Sequence, residues 1–205
     1  MLRTHKVIQV VKALQNRRHP GNSKLNSVVE QNLCLICGLC CNGVIFADVR
    51  LQPMDDAARL ESLGLTLTSR GKQNARKFAQ PCLAFDGCRC GIYPDRPTYC
   101  REFECLLLKN VQGSRLSFDE ARRIIERARK RADQVRELLR QLGDTDEQIA
   151  LASRFRHTQQ RLERLASDDS SADLYGNLTL AVHDLNQIIT DAFYPAAGSK
   201  DLPSQ

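Results

Sequence analysis

The chemistry of this 205-residue sequence is concentrated in nine cysteines, all of which lie between positions 34 and 105. Four of them, Cys34, Cys37, Cys40 and Cys41, form a C-x-x-C-x-x-C-C motif. Thiolates two residues apart can converge on one soft metal centre, for which zinc and iron–sulfur clusters are the candidates. Four cysteines in so short a run are too dense to be explained as buried small hydrophobic side chains. The motif therefore predicts a metal site.

The adjacent residues Cys40 and Cys41 are predicted to have different roles. If the motif is helical, at about 100° per residue, Cys34, Cys37 and Cys41 share one stripe and Cys40 points elsewhere. Gly38 would let the backbone turn closely around the metal, with its amides directed at sulfur.

The remaining five cysteines form a second group in a stretch rich in turn-forming residues. These cysteines are Cys82, Cys88, Cys90, Cys100 and Cys105. Pro81, Gly87, Gly91 and Pro94 follow at close intervals, so most of the group is predicted to lie on turns. Pro97 is predicted to begin a helix that carries Cys100 and Cys105.

These motifs resemble the YkgJ-like CxxCxxCC cysteine-cluster family over residues 34–105. The residues that carry the likeness are the first motif with Gly38, Pro81-Cys82, Cys90-Gly91-Ile92-Tyr93, and Arg96-Pro97 followed by Cys100-Arg101. The family is described as a zinc- or iron-chelating domain, so the resemblance implies metal binding and no particular reaction. Cys88 departs from the family pattern. The predicted metal ligands are the other eight: Cys34, Cys37, Cys40, Cys41, Cys82, Cys90, Cys100 and Cys105.

The spacing of the cysteines leaves two kinds of metal centre open. Eight thiols could hold two tetrahedral zinc ions, or one four-iron cluster with several cysteines left over. Three ligands at C-x-x-C-x-x-C with a distant fourth are closer to a 4Fe-4S ligand set than to the paired motifs of zinc ribbons, which favours iron–sulfur slightly. An ordinary ferredoxin is disfavoured, because Cys41 follows Cys40 at once and Asn42 comes next.

The elements that must position these thiols are mainly α-helical, with a small irregular α+β module around the cysteines. The predicted divisions are a basic N-terminal helix and linker (1–33), the cysteine-cluster metal-binding module (34–105), a helical C-terminal region (106–194) and a flexible tail (195–205). Within the module, Val44 to Leu51 is predicted to be a strand or an extended segment. A short helix is predicted from Pro53 to a stop at Gly64.

The C-terminal region is predicted to contain three helices, the first two forming an antiparallel hairpin. Ser117 with Glu120 makes a capping box for the first helix, which Gly143 ends. Asp144 with Glu147 repeats the start signal for the second. A linker at 167–171 then precedes a third helix, which runs from Leu174 to Ala192.

Length and composition exclude a large multidomain enzyme and a membrane protein, since hydrophobic residues make up 42% and charged residues 26% of the chain. The N-terminus lacks the unbroken apolar run of a secretory signal. The predicted location is the cytoplasm, where free thiols persist and clustered cysteines are more often metal ligands than disulfides.

Charge suggests one further class of function. Residues 106–165 carry 14 basic and 9 acidic side chains, whereas residues 166–205 carry 1 and 6. The basic helices could bind an acidic protein partner or RNA, although interleaved acidic residues can also pair with them. Another alternative is a cluster-dependent enzyme such as a protein lysine methyltransferase, because some relatives of this cysteine cluster occur in lysine-methylating proteins. Its catalytic residues are unknown, and the lack of a visible Gly-rich cofactor loop in the sequence counts against it.

Overall fold

The computed structural model describes residues 33–69, 76–87, 89–164 and 169–194. These residues form a mostly helical protein with one small antiparallel sheet, which confirms the predicted fold class. The helix predicted near the N-terminus, Cys88 and the predicted tail lie outside the described residues. No helix among the described residues is long and apolar enough to cross a membrane.

A three-stranded sheet and a short helix form the small half of the structure. The strands β1 (Asp48–Arg50), β2 (Thr68–Ser69) and β3 (Arg76–Ala79) pair antiparallel in the order β1-β3-β2. Val49 lies opposite Phe78, and both side chains are buried. The sheet and helix α1 (Ala57–Ser62) therefore enclose a core of their own, which we call the small core: Val49, Leu60, Leu65, Phe78, Cys82 and Ile92.

Helix α1 begins where a side chain caps it. Asp56 accepts a hydrogen bond from the Arg59 amide, so the helix begins after Asp56 and not at Pro53. It ends before Gly64, which has a positive φ of 92°.

The helix predicted to carry both Cys100 and Cys105 is two separate helices. Helix α2 (Thr98–Glu102) carries Cys100, and helix α3 (Leu106–Gln112) begins after Cys105, which is its N-cap. The break occurs because Phe103 adopts an extended conformation with a ψ of 118°. Cys105 thus stands at the start of a helix and not within one.

The longest described regular elements are α4 (Phe118–Gln141) and α6 (Asp169–Phe193). Ser117 and Glu120 form the predicted capping box, with the Ser117 side chain accepting from the Glu120 amide. Alanines on the buried side of α4 allow α6 to approach closely, and the two helices build the large core together. Its members from these helices include Ala128, Ala132, Val135, Leu178, Ala181, Leu185 and Phe193.

Helix α5 (Leu151–Arg164) begins later than its predicted start signal. The Asp144 carboxylate accepts from the Arg154 Nε at 2.8 Å instead of capping a helix there. The Arg154 side chain is only 2% exposed, so this pair is buried. Helix α4 packs more extensively on α6 than on α5, so the dominant pairing is not the predicted hairpin.

Residues 169–171 of the predicted linker belong to α6, and residues 167 and 168 lie outside the described residues. Directly after the C-terminal end of α6, the Tyr194 hydroxyl donates to the Ile45 carbonyl at 3.0 Å. The end of α6 is thereby fixed against the loop that follows the first cysteine motif.

Several arginines of α4 have acidic partners on the same helix or its neighbour. Arg122 pairs with Glu126, Arg136 with Asp133, Arg140 with Glu137 and Arg131 with Asp184 of α6. The interleaved charges therefore form the ion pairs expected of a solvated helix face. A nucleic-acid or acidic partner for this helix stays a prediction.

Candidate metal centre

A cavity of about 120 Å³ lies between the small core and the large core. All eight predicted ligands line its wall: Cys34, Cys37, Cys40, Cys41, Cys82, Cys90, Cys100 and Cys105. The structure therefore brings the first cysteine motif together with the distant second group. None of these eight cysteines forms a disulfide.

The first motif forms a helical turn followed by a tight loop. Residues 33–37 are helical, and Gly38 ends the helix with a φ of 66°. The amides of Cys41 and Asn42 both donate to the Gly38 carbonyl at 3.0 Å. This loop turns the backbone between Cys37 and Cys41, so the four cysteines do not continue on one helix.

Gly38 is required at this turn for steric reasons as well. A Cβ atom there would lie 2.6 Å from the Phe85 ring, which is closer than side-chain carbons approach. The loop of the first motif therefore packs directly on the segment that connects Cys82 to Cys90.

The segment from Cys82 to Cys90 is anchored to the first motif by backbone bonds. The Cys82 amide donates to the Cys41 carbonyl at 2.8 Å, and Phe85 pairs with Cys90 in an isolated antiparallel bridge. These bonds form the turns predicted for the second group. They bring Cys82 and Cys90 to the part of the cavity next to Cys41.

Cys100 and Cys105 reach the cavity from successive helices. Cys100 lies on α2, and Cys105 caps α3, with its Sγ accepting from the Leu108 amide at 3.5 Å. An amide that donates to sulfur stabilises a thiolate at that position.

Burial keeps these thiols protonated when no metal is bound. Burial is the largest cause that raises the pKa of Cys37, Cys41 and Cys100 from 9.0 to about 12, and it also raises the pKa of Cys40 well above its ordinary value. The neighbouring thiols raise these pKa values further, because thiolates repel one another. The cavity therefore disfavours bare thiolates and favours sulfur atoms whose charge a metal cation offsets.

Two arginines lie beside the cysteines and were not predicted to position them. The Arg129 Nη1 on α4 donates to the Ile36 carbonyl at 3.0 Å, and its charge lowers the pKa of Cys37. The Arg96 guanidinium stacks on the Tyr93 ring at 3.5 Å and donates to the Tyr93 carbonyl at 3.0 Å. Arg96 lowers the pKa of Cys41 and Cys100.

Tyr93, Arg96 and Arg101 contact neighbouring residues of the module. Asp95 pairs with Arg59 and not with Arg96. The Arg101 side chain donates to the Thr98 hydroxyl at 3.3 Å. Arg96, by contrast, also lines the cavity.

Gln80 is a buried cavity residue that the sequence did not single out. It is 3% exposed, and its Oε1 has no hydrogen-bond partner in the described part of the chain. It precedes Pro81 in a cis peptide bond. The sequence gives no signal that the Gln80 side chain is buried. The only available clue is that Gln80 directly precedes Pro81-Cys82.

The rest of the cavity wall is apolar. Aromatic contributors are Phe46, Tyr99 and Phe103, of which Phe46 and Phe103 meet edge to face at 4.9 Å between centroids. Ile125 of α4 and Phe193 of α6 also line it. The C-terminal helices thus contribute directly to the cysteine cavity, which the resemblance over residues 34–105 did not indicate.

The donor set fits a soft metal centre, since eight cysteines line one largely apolar cavity. Among the residues that the structure describes, no three His, Cys, Asp or Glu side chains stand in the arrangement of a preformed single-ion site. Binding would therefore involve movement of cysteine side chains as well as loss of their protons.

Comparison with known proteins gives one match. Residues 33–130 match the model of the family CxxCxxCC, described as "Putative zinc- or iron-chelating domain". The match confirms the resemblance seen in the motifs and extends beyond the last cysteine into α4. Neither the curated proteins nor the solved structures gave a match.

Proposed function

We propose that this protein binds a metal through the eight cysteines that line the cavity, because residues 33–130 match the model of a family described as zinc- or iron-chelating. The single observation that carries the proposal is that all eight of these side chains reach one enclosed space although they come from segments up to 71 positions apart in the sequence. When bound, zinc would supply a structural cross-link, and an iron–sulfur cluster would add electron transfer.

The residues of the chain prepare this site in three ways. The first motif and the segment after Cys82 supply thiols from rigid turns. The apolar wall excludes water, which strengthens the attraction between thiolates and a cation. Arg96 and Arg129 offset part of the negative charge that accumulates when thiols lose their protons.

Spacing supports an iron–sulfur centre over zinc within this proposal. Three thiols at C-x-x-C-x-x-C with a distant fourth resemble a four-iron ligand set. The eight described cysteines carry no disulfide, which supports a reducing, cytoplasmic setting.

The test is anaerobic purification followed by metal analysis and visible absorption. An iron–sulfur centre gives iron, acid-labile sulfide and a brown colour, whereas zinc gives a colourless protein with zinc alone. A Cys40→Ser/Cys100→Ser variant should lose metal, while the matched control Cys88→Ser should keep it. A wild-type chain that stays free of metal after reconstitution with zinc, and with iron and sulfide, would overturn the proposal.

A further inference from the structure

We propose that the cysteine cavity holds two metal centres, each bound by a different set of four thiolates. Set one consists of Cys34, Cys37, Cys40 and Cys105. Set two consists of Cys41, Cys82, Cys90 and Cys100. This inference rests on the proposed function and gives it a stoichiometry, with tetrathiolate sites for zinc-type ions or iron–sulfur clusters.

The two sets pack against different cores. Cys37, Cys40 and Cys105 pack against the large core, which α4 and α6 build. Cys82 belongs to the small core, and Cys41, Cys90 and Cys100 pack against it. The cavity lies between the two cores, so the two groups of sulfur atoms approach it from opposite sides.

The division falls between two adjacent residues. Cys40 is on the side of the large core and Cys41 on the side of the small core. The Cys41 carbonyl accepts from the Cys82 amide at 2.8 Å, which joins Cys41 to the segment of set two. The two adjacent cysteines have different roles in this arrangement, but the helical stripe of the motif predicted that Cys41, and not Cys40, would group with Cys34 and Cys37.

Cys34 completes set one because of its place on the helical turn. It precedes Cys37 by three residues, a spacing that puts two side chains on the same face of a helix. Set two already has four members without it.

Each set also has its own arginine. The Arg129 Nη1 donates at 3.0 Å to the carbonyl of Ile36, which precedes Cys37, whereas the Arg96 Nη1 donates at 3.5 Å to the Cys100 carbonyl. Four thiolates around a divalent ion leave a net charge of about −2, and a nearby guanidinium lowers the cost of burying that charge. Each proposed centre therefore has a guanidinium bonded to the backbone of its own set.

The test is a titration of the reduced, metal-free, full-length chain with Cd²⁺ alone under anaerobic conditions. Bound ions are counted by native mass spectrometry, and thiolate ligation is followed by ultraviolet charge-transfer absorption. We expect saturation at two Cd²⁺ per chain, with eight cysteines protected from alkylation and only Cys88 reactive. Saturation at one ion, or at three or more ions sharing bridging thiolates, overturns the two-centre inference but leaves metal binding intact. A chain that binds no Cd²⁺ overturns the proposed function as well.

Two double variants test the composition of the sets. At saturating Cd²⁺, Cys37→Ser/Cys105→Ser and Cys82→Ser/Cys100→Ser should each bind one ion, half of the wild-type amount, whereas Cys88→Ser should bind two. If a double variant whose helical circular dichroism is intact retains two ions or loses both, the division into these sets is wrong. The wild-type stoichiometry tests the inference independently, even if a double variant does not fold.

Discussion

Buried thiols make the free energy of unfolding of the metal-free protein fall as the pH rises above about 9. Cys37, Cys41 and Cys100 have pKa values of about 12 in the folded, metal-free chain, and 9.0 is the ordinary value of an exposed thiol. Between these two values the unfolded chain has released protons that the folded chain still holds. The contribution of these thiols to the free energy of unfolding is fully present below pH 9 and is lost as the pH rises towards 12.

We therefore expect the free energy of unfolding of the metal-free protein to fall steadily between about pH 9 and about pH 12. Urea denaturation at several pH values measures this slope. The Cys37→Ala/Cys100→Ala variant lacks two of the responsible thiols and should show a shallower slope. Equal slopes for the variant and the wild type would contradict the assignment of the effect to these cysteines.

A second prediction at the scale of single residues concerns Gly38. Gly38→Ala should destabilise the chain by about 1–2 kcal/mol from its positive φ and by about 1–3 kcal/mol more from the contact with Phe85. The variant should also bind less metal, because the loop of the first motif would shift. Chemical denaturation and metal analysis measure the two effects.

Gly87→Ala is the matched control for this prediction. Gly87 also has a positive φ, of 92°, but a Cβ there meets nothing within 4 Å. Gly87→Ala should therefore be destabilised only by the positive φ of this position. Adding Phe85→Leu to Gly38→Ala should restore part of the stability, and a Gly38→Ala variant no less stable than Gly87→Ala would show that the ring contact is unimportant.

At the scale of helices and strands, the connection between α4 and α5 depends on one buried ion pair. Arg154 donates to both the side chain and the backbone carbonyl of Asp144, and the Thr158 hydroxyl approaches the same carboxylate at 3.4 Å. A buried charge that loses its partner is destabilising, whereas an exposed pair contributes little.

Arg154→Met should accordingly lower the free energy of unfolding by about 3–5 kcal/mol. Arg140→Met removes an exposed arginine of α4 that pairs with Glu137 and Glu147, and its cost should be about 0–1 kcal/mol. Guanidinium denaturation of both variants distinguishes them. Similar losses in the two variants would mean that the buried pair is not the structural link proposed here.

The same connection shows what the sequence could and could not predict. Ser117 and Glu120 reveal the start of α4, because both partners of the capping box are local. Asp144 and Glu147 carry the same local pattern, yet Asp144 is used by Arg154, ten residues later. Phe103 separates α2 from α3 without any Gly or Pro signal. Local patterns therefore predicted the helices well and their tertiary partners poorly.

The candidate site shows the same difference between local patterns, which the sequence reveals, and tertiary contacts, which it does not. The dense motif predicts metal ligands because its spacing is local and unusual. Gln80 and Phe193 reach the cavity, and Arg129 reaches the backbone of the first motif, only through tertiary packing, so no spacing in the sequence could indicate them. Helical geometry grouped Cys41 with Cys34 and Cys37, whereas Cys40 packs with Cys37 on the large core and Cys41 on the small core, because the loop after Gly38 replaces the helix.

At the scale of the whole molecule, the large core joins the cysteine loop to the C-terminal helices. Leu39 and Ile45, on either side of Cys40 and Cys41, belong to the same core as Leu178 and Phe193 of α6. The Arg136 side chain of α4 donates to the Asn42 carbonyl at 3.3 Å. The metal-binding loop and the helices therefore depend on each other for stability.

Phe193→Ala should destabilise the protein by about 3–5 kcal/mol and lower metal retention during chelation. The Phe193 side chain is 1% exposed and lines the cavity. Leu180→Ala on the same helix is the control, because Leu180 is 66% exposed and its replacement should change stability by about 0.5 kcal/mol or less. Thermal unfolding and the rate of metal loss to a chelator measure both effects, and unchanged metal loss in Phe193→Ala would separate α6 from the site.

The position of Phe193 in the cavity wall has a consequence for how the protein is made. The last thiol of the cavity, Cys105, is synthesised 88 residues before Phe193. In the nascent chain, the eight cysteines of the cavity are therefore exposed to solvent while α6 is still inside the ribosome. Metal that binds during translation would therefore reach these thiols before α6 packs against the cavity.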